Sequence, residues 1–266
     1  MSALDHSNGP DPREQNEIER SAARAAQIVL SPVNLDRYLN PSSDTTHPLE
    51  YAYYLLGDVR GKTVLDFGCG SGENLVALVR RGAQVVGIDI SPELIDLAKQ
   101  RVQQAQAVAD LRVASAYKTG LPDHSVDVIF CIALVHHLEI PRVQQEMARI
   151  LREGGFIVLK EPIRLSKLYD RVRKMLPSRT DVSEYEHPLT EEEFQELKCG
   201  RFLFSETRFF QLPFVNLFVR ILPRVPGPIW RASDWIIRHV SFTKAYASIV
   251  VTRLRARPGN AATVGR

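Results

Sequence analysis

Two carboxylates and the glycines between them are the residues best placed to do chemistry. Asp66 ends the aliphatic run Val64-Leu65-Asp66-Phe67, which leads straight into Gly68-Cys69-Gly70-Ser71-Gly72-Glu73. Asp89 ends the next such run, Val85-Val86-Gly87-Ile88-Asp89, 21 residues after Gly68. Glycines at every second position permit positive φ and let a ligand lie on bare backbone, and a helix N-terminus offers unpaired N–H groups. Further on, His136 and His137 stand side by side, and Glu161 closes another aliphatic run. An imidazole or carboxylate close to an acceptor hydroxyl can serve as a general base. Adjacent side chains point different ways, so one histidine should face a substrate, and His137 is our choice. Two neighbouring histidines without a carboxylate at ligand spacing do not make a metal site.

These residues need elements to hold them. Strands are expected over 62–67, 84–89, 110–114, 126–132 and 155–160, with helices over 73–81, 92–104 and 141–152 between them. Nearly continuous apolar strands alternating with helices imply α/β architecture, a parallel sheet covered on both faces. Upstream, Arg13 to Leu30 reads as a helix and Pro48 to Leu56 as a second with proline in its first turn. Downstream, Arg164 to Met175 reads as a basic helix, and Thr190 with Glu193 forms a capping box. Strands are expected over 201–212 and 246–254. The division is an N-terminal helical extension (1–60), a ligand-binding core (61–162) and a part completing the sheet (163–257). That last part carries a substrate-side cap at 213–240, and a tail follows (258–266).

Net charge over the 266 residues is only +3, but residues 201–266 hold eleven Lys or Arg against two acids. An anionic or apolar acceptor, or a peripheral membrane surface, is one reading of that segment; a solvated basic face is the other. It also holds seven of the eleven Phe and both Trp. Those aromatics read as a cap for an apolar acceptor, as stacking partners for nucleic-acid bases, or as the core beneath the cap. Cys69, Cys131 and Cys199 are far apart and form no disulfide or zinc pattern. With no apolar leader and no apolar stretch of about 20 residues, a cytoplasmic location is expected.

The dinucleotide fingerprint places its third glycine one residue later than Gly72, where this chain has Glu73. Acids at that turn and at Asp66 oppose a pyrophosphate, while Asp89 can accept hydrogen bonds from both ribose hydroxyls. A ribose, no phosphate and two cationic centres describe S-adenosylmethionine. At 62–162 the chain resembles the class I S-adenosylmethionine-dependent methyltransferases, specifically the type 11 small-molecule group. The resemblance is carried by Val64 to Gly72, Val86 to Ser91, Leu121 to Ile129, Val135-His136-His137-Leu138 and Arg149 to Gly155, in order and at family spacing.

That resemblance implies a seven-stranded Rossmann-like sheet of order 3-2-1-4-5-7-6 with strand 7 antiparallel. It implies that Gly68, Cys69 and Gly70 contact the methionine moiety, with Asp66 helping to hold its amino group. Asp89 would take the ribose, Ile90 the adenine and Ile132 the methionine side. Ser115-Ala116 stands where the family often has Asp-Ala beside adenine, and serine can still hydrogen-bond. His137, His136 and Glu161 are the candidate catalytic groups, and Tyr38 a candidate for the acceptor side. The function expected is methyl transfer to a hydroxyl of a natural-product, sugar or lipid/quinone-type acceptor. The alternatives are an RNA methyltransferase or a non-catalytic cofactor-binding module. Cys131-Ile132-Ala133-Leu134 lacks the Asn/Asp-Pro-Pro-Tyr/Phe of many base-methylating enzymes, which disfavours nucleic acid.

Overall fold

The computed structural model describes residues 11–32, 34–166, 187–212, 215 and 226–256. The central strands are β1 (Thr63–Phe67), β2 (Gln84–Asp89), β3 (Asp110–Val113), β4 (Val126–Ile132) and β5 (Leu151–Arg164). β6 (Leu189–Thr190), β7 (Phe202–Phe210) and β8 (Ile249–Ala256) follow. The sheet runs β3-β2-β1-β4-β5-β8-β7, and the two-residue β6 pairs beside the end of β5. β8 is antiparallel to both its neighbours, β5 and β7, whereas β1 to β5 pair in parallel. Apart from β6, this is the expected order with the penultimate strand antiparallel.

Alternation along the strands builds two core layers. Leu65, Ile129, Ile157 and Leu159 face one side, where α6 (Ile140–Ile150) brings Ile140, Val143, Met147 and Ile150, and α7 (Glu191–Cys199) brings Phe194 and Leu197. Val64, Val128, Phe130 and Val158 face the other. There α3 (Pro48–Leu56), α4 (Glu73–Arg80) and α5 (Pro92–Gln104) supply Tyr53, Leu56, Leu75, Leu78, Ile95 and Ala98. Sheets buried on both faces need such apolar runs.

Some boundaries move. The first helix, α1 (Pro12–Ala25), stops five residues before the expected end. Strand β5 begins at Leu151, immediately after α6, and Gly154-Gly155 falls inside it. The break expected at those glycines is instead a register shift between Val126 and Val128 on β4. α2 (Asp36–Leu39) is a single turn. The basic helix expected over 164–175 lies almost wholly outside the described residues, as do the chain's first ten residues and its tail.

Of the segment 213–240, the described part is Val215, which is buried, and α8 (Pro226–His239) with Val240. Here the interleaved arginines and aromatics have structural work. The Arg208 guanidinium lies over Tyr51 and Phe210, 4.9 and 4.6 Å from their centroids, and binds Asp234 of α8 at 2.7 Å. It also donates to the carbonyls of Ser43 and Thr45, so α8 is tied to the loop before α3. Phe202 and Phe210 are buried, while Trp235 and Phe242 are exposed. Among the described residues no helix is long and apolar enough to cross a membrane.

Candidate active site

Strands β1 and β4 end beside each other on the carboxyl edge of the sheet, where open α/β sheets bind ligands. Gly68, Gly70 and Gly72 all have positive φ, of 75°, 51° and 83°. Their uses differ. A Cβ on Gly72 would come within 3.0 Å of Ala98 Cα, so this glycine lets α5 pack against the start of α4. A Cβ on Gly70 would meet nothing within 4 Å, so the bare backbone there faces open space.

That space is a cavity of about 410 Å³. Gly68, Cys69, Gly70, Asp89 and Ile90, from the glycine turn and the end of β2, form one part of its lining, and Ala114 and Ala116 adjoin it in the chain after β3. Ile132, Leu134 and His137, at the end of β4 and in the turn after it, and Arg13, Glu14, Glu17, Ser21 and Arg24 of α1 complete the lining. The structure thus brings Gly68, Cys69, Gly70, Asp89, Ile90, Ala116, Ile132 and His137 together. Asp66, Ser115, His136, Glu161 and Tyr38 are not part of this lining; Tyr38 packs instead on Tyr53, with ring centroids 4.8 Å apart.

Asp89 is held from behind. Gly70 N–H donates to its Oδ2 at 2.9 Å and Ser91 N–H to its Oδ1 at 3.0 Å. Each oxygen keeps a lone pair for a ligand hydroxyl. Burial raises its pKa, and these backbone donors only partly oppose the rise. Asp66 is fully enclosed next to the turn. Neither of its oxygens has a hydrogen-bond partner in the protein. Burial, then the nearby charge of Asp89, pushes its pKa up to about 8, with the Asn74 side chain offsetting this only in part. A buried carboxylate without donors is costly and is stabilised by a cationic partner.

The turn after β4 positions the histidines. Ala133 adopts φ 56°, a conformation costing a non-glycine residue about 1 kcal/mol or more, and its N–H donates to the Lys160 carbonyl at 2.8 Å. Glu161 Oε1 accepts from the N–H groups of Leu134 and Val135 at 3.0 and 2.9 Å. Its Oε2 sits 2.8 Å from His136 Nδ1. Glu161 and His136 therefore hold the turn rather than meet the cavity. His137 does meet it. Burial and the positive charges of His136, Arg20, Arg24 and Arg13 depress its pKa to about 3, outweighing Glu17 Oε2 at 3.4 Å from Nδ1.

The residues of 13–30 predict a helix, but nothing in their types or spacing assigns it a part in the site. Asp11 and Glu14 cap α1 in a capping box with Pro12 at its first turn, a signal legible in Asp11-Pro12-Arg13-Glu14. Its docking depends on distant partners: Asp11 with Arg142 at 3.1 Å, Glu14 with Ser115, and Glu17 with His137. Arg101, nearly buried, donates to the carbonyls of Ser71 and Ser31 at 2.9 and 2.8 Å, tying the glycine turn to the chain beyond α1.

Comparison with known proteins shows what the chain is similar to. Residues 65–159 match the family model described as a methyltransferase domain. A ubiquinone biosynthesis O-methyltransferase from Coxiella burnetii (strain Dugway 5J108-111) is 32% identical over 139 residues, which cover 49% of this chain and 59% of the relative. The chain thus spans little more than half the length of the curated relatives it matches. Among solved structures, the geranyl diphosphate C-methyltransferase of Streptomyces coelicolor A3(2) aligns with a TM-score of 0.61 and 16% identity, covering 94% of this chain and all of that one. The [4+2]-cyclase SpnF aligns with a TM-score of 0.60, 16% identity and coverage of 94% and 99%. At such identities the structural likeness speaks to the fold alone, and a cyclase beside a methyltransferase illustrates why.

Proposed function

We propose, from the premise that residues 65–159 belong to the type 11 group of class I S-adenosylmethionine-dependent methyltransferases, that this protein methylates a hydroxyl of a small, quinone-type or phenolic acceptor. The observation that carries the proposal is the single cavity running from Asp89 and the glycine turn to His137. The curated relatives named for ubiquinone biosynthesis support an oxygen acceptor of that class. The lack of an Asn/Asp-Pro-Pro-Tyr/Phe run at the end of β4 weighs against RNA. Buried thiols at Cys69 and Cys131 accord with a reducing cytoplasm.

The cavity fits the cofactor of this family. Gly70 offers a backbone face where any side chain would project into the space, and Asp89 has lone pairs left for ribose hydroxyls. Asp66 is a buried carboxylate lacking donors, suited to compensating a cationic amine and sulfonium nearby. When bound, S-adenosylmethionine supplies an electrophilic methyl group on sulfur. The protein's part is alignment and handling of the acceptor's proton. His137 is neutral at any pH above its depressed pKa, and a Nδ1–H directed at Glu17 leaves the Nε2 lone pair for the acceptor hydroxyl. Glu161 and His136 fix the turn that presents it. So weak a base favours an acidic hydroxyl. The cations that keep His137 unprotonated also favour an ionised acceptor oxygen, and Arg13 and Arg24 line the cavity. A phenol, with a pKa of about 10, gives up its proton far more readily than an aliphatic alcohol.

Methyl-labelled S-adenosylmethionine offered with catechols, quinols, sugars and RNA tests the proposal. Label should appear on phenolic oxygen. Label on RNA would replace the small-molecule reading, and binding without transfer to any acceptor would make the chain a cofactor-binding module.

A further inference from the structure

Glu14 has three relations that no fold-level argument requires together. It caps α1 through the Asp11 N–H, it accepts a hydrogen bond from the Ser115 hydroxyl, and it lines the cavity. Ser115 itself is not part of the lining, although its neighbours Ala114 and Ala116 are. The hydroxyl expected to reach the ligand is turned instead to a carboxylate from a helix 101 residues away. The cavity lining also carries Ile90, Leu94, and Ala114 and Ala116 on either side of Ser115, a set of apolar side chains that suits a flat heterocycle. Asp89, beside Ile90, marks the ribose end. A base attached to that ribose lies among those apolar groups, and its edge needs a polar partner.

We propose that Glu14 is a cofactor-binding residue, its carboxylate accepting a hydrogen bond from the exocyclic amine of adenine while Ser115 holds it in place. The inference rests on the S-adenosylmethionine reading given above. Its chemistry is simple. Each carboxylate oxygen can accept two hydrogen bonds, and Asp11 and Ser115 take one each, which leaves capacity for the ligand. An amine donating to an ionised acceptor is among the stronger neutral–charged hydrogen bonds. The consequence for the fold is that α1 belongs to the donor site: cofactor and helix hold each other.

The test measures binding rather than turnover. Calorimetry on the full chain compares S-adenosylhomocysteine with its analogue carrying hydrogen in place of the 6-amino group. The unaltered protein should favour the amine-bearing ligand by about tenfold or more, the size expected for a hydrogen bond to a charged group. Glu14→Ala should erase that preference by weakening S-adenosylhomocysteine about tenfold while leaving the analogue nearly unchanged. Glu14→Gln, which keeps a capping-box side chain, should lose the preference in part, and Ser115→Ala should do so to a smaller degree. A merely structural role in capping α1 would weaken both ligands alike, and that result overturns the inference, as does an unchanged preference in Glu14→Ala. If the unaltered chain binds neither ligand, the cofactor reading itself falls and this inference with it. Binding of both with no preference defeats the inference alone.

Discussion

The wall of the cavity made by β1, β2 and the glycine turn is continuous in sequence and pinned by backbone, whereas a second wall is assembled from α1 and the turn after β4. In the first, the N–H groups of Gly68 and Cys69 donate to Ile88 and that of Gly70 to Asp89. In the second, contacts join residues 101 and 124 positions apart, Glu14 to Ser115 and Arg13 to the His137 carbonyl. Two further contacts of this wall, Glu17 with His137 and Asp11 with Arg142, are partly exposed. On the proposed function, the first wall is the seat of the donor molecule and the second a docked cover for donor and acceptor. The two should therefore fail differently when cut.

The largest effect should come from the second wall. His137→Ala is expected to lower turnover by about 10²-fold, the low end of the range for a positioned base because its depressed pKa makes it a weak one, while cofactor affinity stays near that of the unaltered protein. Calorimetry with S-adenosylhomocysteine beside steady-state kinetics separates the two. If affinity falls as far as turnover, His137 belongs to the donor seat and the division between the walls is wrong.

A smaller effect tests the first wall from inside. Asp66 titrates near 8 when folded against an ordinary 3.8, so its contribution to stability is complete below about pH 4 and is lost as pH rises toward 8. His137 works in the opposite direction, but only below about 6.5, the ordinary value it has lost. Between about pH 6.5 and 8 the unliganded protein should lose roughly 2 kcal/mol, at up to 1.36 kcal/mol per pH unit. Asp66→Asn should flatten that slope in thermal melts. Binding of an ammonium-bearing ligand near pH 7 should release part of a proton from Asp66, visible as a dependence of the calorimetric heat on buffer ionisation. An unaltered slope in Asp66→Asn would mean that burial is not what perturbs this carboxyl.

How much of this was legible in the sequence follows the same line. The donor wall was readable because its information is local: a strand, three glycines, a helix, and an acid ending each of two strands. The strand order came from resemblance and agrees with the structure. What escaped was everything fixed by distant pairing. Glu161 read as a possible base, yet its oxygens serve Leu134, Val135 and His136. Tyr38 read as a candidate for the acceptor side, yet its ring packs at a tilt on Tyr53. Helix α1 was foreseen as an element but not as a wall, because its amphipathic pattern says that it packs and not against what. The aromatics after Phe202 read either as a cap for an acceptor or as core, and among the described residues Arg208 with Tyr51 and Phe210 forms a clamp on α8.

The smallest effect bears on how the cover is held. Arg142 sits 3.1 Å from Asp11 and 3.9 Å from the Tyr117 ring centroid, and its side chain is 48% exposed. Solvent screening limits such an ion pair to about 0–1 kcal/mol, and an exposed cation–π contact adds about 0.5–1 kcal/mol at most. Arg142→Ala should therefore leave global stability almost unchanged. Hydrogen exchange should show a selective loss of protection over α1, with the amides of 63–72 unaffected, because the donor wall's hydrogen bonds do not pass through Arg142. Raised salt should mimic the substitution in the unaltered protein by screening the same pair. If protection falls equally in α1 and in the glycine turn, cover and seat open as one unit. Arg101, which bonds both Ser71 and Ser31, would then be what couples them.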